Sequence, residues 1–273
     1  LYPDNYKRLF PQKIKFLYKV FFRLQEIKKN KILNNASAIT AVSKTFANWA
    51  ANSLSENSPI KPKAFYIGYP PPSPINVSEK KSFLIKKSLP LDKKIIVFVG
   101  TFSNLINFDN IFKAFEELNL NKNSPWHLCI AGGGYKQNYI SEKCSSLNNA
   151  TFLGWLEPKD IHLLYKSSSL AITPYCSNDF MAMPNKFFEC VAYELPILNS
   201  LQGEMSEFIK EYNLGFNFKN NNSESFLNVL KRYENNYDLN FKQKQNLVDL
   251  YKKKFLRDEI YDSFAEYIFD LIK

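Results

Sequence analysis

Residues 169–198, SLAITPYCSNDFMAMPNKFFECVAYELPIL, decide the fold. They predict strand, loop, helix and strand in that order. Residues 169–173 are short, apolar and β-tending, the pattern of a buried strand. Residues 174–183 hold the Pro, Ser, Asn and Asp of a loop. Pro184 suits a first helical turn, where its missing N–H costs nothing. Phe187, Phe188, Val191 and Leu195 then recur at helical spacing, with Pro196 expected to stop the helix and open the next strand. Lys186 and Glu189 sit three apart and so share a helix face, one turn from the N-terminus.

That arrangement suits a nucleotide diphosphate. A helix N-terminus offers free N–H groups and partial positive charge. Lys186 adds a full cation, and Glu189 can accept hydrogen bonds from ribose hydroxyls. The competing reading is an ordinary surface helix with an i,i+3 charge neighbour. The order of elements favours the site, because ligands of open α/β sheets bind outside the carboxyl ends of the strands.

Pro184-Asn185-Lys186-Phe187-Phe188-Glu189, followed by Ala192-Tyr-Glu-Leu-Pro196, resembles the P-x-K-x-x-E-x-x-A-x-G-x-P signature of GT-B glycosyltransferases. The group resembled is the family 4-like enzymes that build bacterial surface polysaccharides. Phe98-Val-Gly100, Ile130-Ala-Gly-Gly-Gly134, Phe152-Leu-Gly154-Trp155 and the approach from Tyr165 to Pro174 continue the likeness over about residues 90–200. The resemblance implies that Lys186 contacts the donor diphosphate and Glu189 the ribose. It implies that the Gly154-Trp155-Leu156 loop holds the base, with Trp155 able to stack on it; a core or surface tryptophan is the other reading. It places Gly100, Thr101, Tyr175, Pro184 and Asn185 among the donor-binding residues. Related enzymes often carry an acid eight residues before the glutamate, where this chain has Met181. Asn178 and Asp179 are the nearby candidates to hold sugar hydroxyls instead.

At 273 residues and 45% hydrophobic, the chain can bury a full core. It has no apolar run of about 18 residues that would span a membrane, and no signal peptide is visible. It begins at Leu1, and a fragment of a longer chain is one reading of that start. Cys129, Cys144, Cys176 and Cys190 show no C-x-x-C spacing, so free thiols in a reducing cytoplasm are expected. His127 and His162 lie near no paired carboxylates, and neither a metal nor a cofactor is expected. The net charge of +10 fits nucleic acid, anionic lipid or nucleotide-sugar phosphates. Scattered lysines without a reader motif argue against nucleic acid.

Residues 1–33 interleave Lys15, Lys19, Arg23, Lys28 and Lys31 with Phe16, Val20, Phe21, Leu24 and Ile27 at helical period from Gln12 onward. A basic amphipathic helix can lie on an anionic membrane; an interdomain helix with a solvated lysine face is the alternative. Residues 36–42 and 65–67 are strand candidates, with Ser43 as a helix cap between them. From Lys93 strands and helices alternate, the mark of a parallel sheet.

The expected fold class is α/β: a Rossmann-like parallel sheet with helices on both faces, plus a partial N-terminal domain. The proline-rich stretch at 68–74 sets the expected division, with residues 1–75 the remainder of an acceptor-side domain and 76–273 the nucleotide-sugar domain. Gly100-Thr101-Phe-Ser103 is either a plain turn or a phosphate cradle of backbone N–H groups. Many relatives place arginine and lysine in this loop, but no basic residue occurs here from Thr101 to Phe112, which leaves Lys186 as the main diphosphate cation. Gly132-Gly-Gly134 is not G-x-G-x-x-G and reads as a tight strand-to-helix turn.

The function expected is a metal-independent glycosyltransferase. It would move sugar from a UDP- or GDP-linked donor to a glycan or lipid-linked acceptor, with retention of configuration implied by the resemblance. Its expected place is the cytoplasm, peripheral on the inner membrane face. The alternative is a non-catalytic nucleotide-sugar-binding module or partner subunit.

Overall fold

The computed structural model describes residues 3, 6, 12–14, 16–121, 123–176 and 181–272. It divides into two compact units. The first comprises residues 1–68, 179–183 and 258–273, the second residues 69–178 and 184–257.

The first unit opens with α1 (Leu17–Asn34), which buries Tyr18 against Phe22. Two short parallel strands follow, β1 (Thr40–Ala41) and β2 (Lys63–Ala64), joined through α2 (Lys44–Ala51). Ser43 caps α2 by accepting from the Phe46 N–H at 3.2 Å. The strand expected at 65–67 lies at Lys63–Ala64 instead. Only the Phe65 N–H still reaches across, to the Ala41 carbonyl at 2.8 Å, and the following residues leave the ladder.

The second unit begins its helices with α3 (Val77–Lys86), which the apolar pattern did not reveal. Its signal is a capping box. The Asn76 side chain accepts from the Glu79 N–H, and the Glu79 carboxylate accepts from the Asn76 N–H. Six strands alternate with helices thereafter: β3 (Lys94–Val99), α4 (Asp109–Leu120), β4 (Trp126–Ala131), α5 (Gln137–Ser145), β5 (Ala150–Gly154), α6 (Pro158–Ser167), β6 (Leu170–Thr173), α7 (Asn185–Ala192), β7 (Ile197–Asn199), α8 (Glu204–Glu211), β8 (Gly215–Asn217). Helices α9 (Ser223–Glu234), α10 (Tyr237–Lys254) and α11 (Arg257–Ile272) close the chain. In the first unit, Phe264 and Tyr267 of α11 pack on Phe65 at 5.1 and 5.4 Å between ring centroids.

The sheet is parallel throughout, in the order β5-β4-β3-β6-β7-β8. From β3 the chain steps outward to β4 and β5, then returns and steps the other way through β6, β7 and β8. Right-handed crossovers therefore place α4 and α5 on one face and α7 and α8 on the other. Strands β4, β6 and β7 are buried along their whole length, as a sheet covered on both faces requires. The direction of winding reverses between β3 and β6, and the loops that leave those two strands flank a crevice.

Helix α7 is shorter than expected. It ends at Ala192, and Glu194 turns left-handed at φ 58°. The Glu194 N–H bonds the Val191 carbonyl and the Leu195 N–H the Cys190 carbonyl. Leu195 is thus a buried stop outside the helix rather than its last turn.

Candidate functional site

The crevice is set up by backbone. Val99 ends β3, and the Gly100 N–H bonds the Ala131 carbonyl of β4 at 3.0 Å. The Phe102 N–H reaches the Gly133 carbonyl at 2.8 Å, and the Gly132 N–H reaches Gly154 at 2.7 Å. Three loops at the carboxyl edge are thereby stitched together. Gly132 is required there: with φ at 131°, an added methyl group would lie 1.9 Å from the Gly100 carbonyl oxygen.

The same bonds narrow one expectation. Gly100, Phe102 and Ser103 spend their N–H groups on Ala131, Gly133 and Thr101, so they form no open cradle for phosphate. Thr101, which is exposed, has the one N–H of this turn with no protein partner among the described residues. Gly100 serves instead by its lack of a side chain. A methyl group on it would stand 3.3 Å from the Phe98 ring and 3.7 Å from Cε of Lys186.

Lys186 is aimed by its neighbours in sequence. Phe187 and Phe188 are fully buried and pack on Phe255 at 5.8 and 5.2 Å. Phe187 also meets Phe208. With those two residues fixed in the core, Lys186 and Glu189 fall on the flank of α7 that faces Tyr165 of α6. Pro184 precedes the helix in extended backbone, and no side chain caps the first turn. Its leading N–H groups, those of Asn185 and Lys186, have no partner within the helix.

Lys186 Nζ lies 2.6 Å from Glu189 Oε2, with only 13% and 24% of the two side chains exposed. The Tyr165 hydroxyl donates to the same carboxylate oxygen at 2.9 Å and accepts from Lys186 Nζ at 3.1 Å. Burial first, and the Glu189 charge second, push the Tyr165 hydroxyl well above the ordinary tyrosine range, so it stays a donor. The Tyr193 ring lies against Tyr165 at 4.7 Å and approaches Tyr69 at 6.3 Å. Burial and then Glu189 raise Tyr69 and, to about 12, Tyr193. The carboxylate is therefore backed by a tyrosine wall. Sequence reasoning missed the part played by Tyr165, Tyr193 and Tyr69, because side chains from three separate elements meet only in the fold.

The other expected residues are placed as follows. Gly154 closes β5 at φ 62° with open space around it, and its carbonyl takes the Gly132 N–H. Trp155 follows with 80% of its surface exposed, while Leu156 is buried. Tyr175 is buried and anchored: its carbonyl accepts from Ser200 Oγ at 2.8 Å and from Asn220 Nδ2 at 3.1 Å. Burial chiefly, with Cys190 and Glu189 adding to it, raises its hydroxyl. Asn178 and Asp179 lie outside the described residues. A cleft of about 340 Å³ opens beyond β6–β8, with Asn107, Cys176, Ser200 and Lys219 in its wall; Lys186 is not part of it. Among the described residues, no three His, Cys, Asp or Glu side chains are grouped as metal ligands.

A family model described as glycosyl transferases group 1 matches residues 79–249. Anabaena Alr3699/HepE in complex with UDP superposes with a TM-score of 0.72 at 15% identity, over 86% of this chain and 64% of that one. A glycosyltransferase from Rickettsia africae ESF-5 gives 0.71 at 18% identity, over 90% and 67%. Sucrose-phosphate synthase from Thermosynechococcus elongatus gives 0.71 at 15%, over 92% and 62%. The chain thus spans between 62% and 67% of the length of these relatives, and the likeness is one of fold. No curated protein sequence is a match.

Proposed function

The chain belongs to the group 1 glycosyl transferases, and from that premise we propose that it transfers a sugar from a nucleotide-diphosphate donor to an acceptor. The observation that carries the reading is Lys186, set in the first turn of α7 at the carboxyl edge of the sheet and beside Gly100. Breaking the bond between the sugar and the diphosphate builds negative charge on the leaving phosphate. A cation and a helix N-terminus already in place stabilise that charge without reorganising. Lys186 then exchanges part of its contact with Glu189 for the diphosphate. Tyr165 keeps Glu189 in place as its carboxylate accepts from the ribose hydroxyls. The exposed Trp155 ring supplies a face for the base, and Gly100, Thr101, Pro184 and Asn185 line the phosphate path. Asn178 and Asp179 are assigned to the donor sugar.

UDP is the nucleotide of first choice, because Anabaena HepE was solved with UDP and with UDP-glucose. The proposal includes transfer without a metal, retention of configuration, and an acceptor in polysaccharide or glycolipid synthesis. A lipid-linked acceptor would be met at an anionic membrane on the cytoplasmic side. Helix α1 supports this: Val20, Phe21, Leu24 and Ile27 are exposed among Lys19, Arg23, Lys28 and Lys31. Lys15, part of the same pattern, lies outside the described residues. No described helix is long and apolar enough to cross a membrane.

A second reading, nucleotide-sugar binding without catalysis, is favoured by Met181 at the position of the usual acid. Calorimetry with UDP and UDP-glucose, followed by an assay for UDP release with and without membrane lipid extracts, separates the two. Binding of UDP-glucose with no release under any acceptor condition selects the binding module. No binding of either UDP or GDP overturns both readings.

A further inference from the structure

The opposite end of the sheet carries a second cavity. It measures about 570 Å³ and is walled by Lys93, Ser124, His127, Asn149 and Thr151 at the amino ends of β3, β4 and β5. Those strands separate it from the loops around Lys186 by about 20 Å, the length of a six-residue strand. We propose that this cavity is a binding site for a small phosphorylated polyol of the sugar-phosphate class.

The wall is built rigidly. Lys94 N–H bonds the Pro125 carbonyl at 2.7 Å, Leu128 N–H bonds Asn149 at 2.9 Å, and Ser124 N–H bonds Asn121 at 2.9 Å. Asn149 Nδ2 is tied to the Phe115 carbonyl at 2.9 Å, and His127 Nε2 to Thr151 Oγ1 at 2.8 Å. Two polar atoms inside this frame have no partner among the described residues: Ser124 Oγ and Asn149 Oδ1. Ser124 is only 7% exposed, so its hydroxyl cannot turn to bulk water. Leaving buried polar atoms unmade costs stability, and a cavity of this size beside them is the place where a ligand would complete them.

The chemistry selects the ligand. Lys93 Nζ bonds the Ser124 carbonyl at 2.8 Å and has no carboxylate within ion-pair reach among the described residues. No Asp or Glu lines the cavity. A cation with a hydroxyl donor beside it calls for an oxyanion. Asn149 Oδ1 accepts only, so the same ligand must also bring a donor such as a sugar hydroxyl. A phosphate dianion brings only a P–OH on the anion itself and fills little of a cavity of about 570 Å³, and a neutral sugar leaves Lys93 without a counter-charge. A phosphorylated polyol supplies both. Burial and then Lys93 keep His127 neutral, and its ring lies where it would sense the anion.

The chain has two histidines, so NMR of the imidazole protons reads His127 directly, with His162 of α6 as reference. Glucose 6-phosphate, inorganic phosphate and glucose would each be titrated into the full chain at pH 7, with and without UDP. A saturable His127 shift with glucose 6-phosphate is expected, at least about tenfold tighter than with phosphate, and no shift with glucose; tenfold is the scale of one good hydrogen bond. Lys93→Met should weaken glucose 6-phosphate at least about tenfold. Ser124→Ala should raise the thermal midpoint of the free protein, by removing the stranded hydroxyl, and yet weaken the ligand. A purely structural serine would not give those opposite signs. Absence of a saturable His127 shift overturns the site, as does wild-type affinity in both variants. An equal response to phosphate overturns the polyol. Displacement of bound UDP would place the ligand in the other crevice and overturn the proposal. Failure of UDP itself to bind bears only on the transferase reading.

Discussion

The two ends of the sheet use left-handed backbone in different ways. At the carboxyl end the residues with positive φ are glycines: Gly132 and Gly134 after β4, Gly154 after β5, Gly203 after β7. At the amino end one is Gly215, which opens β8, and the others are Ser88, Glu194 and Asn213, the three described non-glycine residues with positive φ. Each of those three follows a helix, and each is followed by a buried leucine, Leu89, Leu195 or Leu214. The bonds repeat as well, with the leucine N–H returning to Leu84, Cys190 or Ile209. This is one helix stop used three times, each time without the usual glycine. Between Gly132 and Glu194 the difference has a steric cause. At Gly132 another backbone fills the space of a side chain, whereas Glu194 is exposed and pays only local strain.

Polar groups divide along the same line. At the carboxyl end Lys186 Nζ, the Tyr165 hydroxyl and Glu189 Oε2 bond one another. Around Lys93, Ser124 and Asn149 two polar atoms have no partner among the described residues. A resting site whose charges satisfy one another must be opened by competition, whereas a stranded hydroxyl and amide oxygen await completion.

The largest effect expected is at the amino end. Burial, reinforced by Lys93, lowers His127 from 6.5 to about 4. Between those values the unfolded chain takes up a proton that the folded chain refuses. Stability from this group is complete above pH 6.5 and falls as pH drops toward 4, by about 3 kcal/mol. Urea midpoints measured across that range should slope steeply in the wild type and less in His127→Gln. His162 is lowered too, by burial first, so the difference between the two proteins is the quantity to read. Parallel slopes would mean that His127 is open to solvent and the amino-end cavity is looser than described.

Next comes Lys186→Ala, which should weaken UDP binding by about 1.5–3 kcal/mol, the scale for hydrogen bonds to charged groups. Calorimetry gives the number. Unchanged affinity would leave the lysine as half of an internal ion pair and remove the carboxyl end's claim to be the donor site.

These two tests bear on residues of unequal legibility. Lys186 and Glu189 could be read from their spacing, because three residues on a helix fix a shared face whatever the rest of the chain does. The alternation from Lys93 onward fixed the parallel sheet for the same reason: the periods of strand and helix are local properties. Tyr165 and the amino-end cavity were not legible. Their geometry depends on the register between β3, β4 and β5 and on where α6 meets α7, which no local pattern encodes. Helix α3 was missed although its cap, Asn76 with Glu79, stood in the sequence, since its apolar periodicity is weak. The end of α7 was misplaced because Glu194 hides a turn that glycine would have announced.

Tyr165→Phe should have a smaller effect. It removes one hydroxyl that donates to Glu189 and accepts from Lys186. A loss of about 1 kcal/mol in unfolding free energy is expected, with a weaker effect on UDP than that of Lys186→Ala. Loss of UDP binding equal to that of Lys186→Ala would instead put the tyrosine on the nucleotide itself.

The smallest effect has the opposite sign and joins the two ends. Helix α7 begins with Lys186 in its first turn at the carboxyl edge and stops at Glu194 on the amino side. A left-handed residue with a Cβ is strained by roughly 1–2 kcal/mol, and glycine removes that strain while adding about 0.5–1 kcal/mol of unfolded-chain entropy. Glu194→Gly should therefore stabilise the protein by about 0.5–1 kcal/mol. The helix start should be untouched, because Phe187 and Phe188 hold it against Phe255 independently of the stop. Urea unfolding and UDP calorimetry on the same variant check both halves. Higher stability with unchanged UDP affinity is the expected pair. Higher stability with weaker UDP binding would mean that strain at the stop is transmitted along α7 to Lys186, and the two ends of the sheet would no longer be separable.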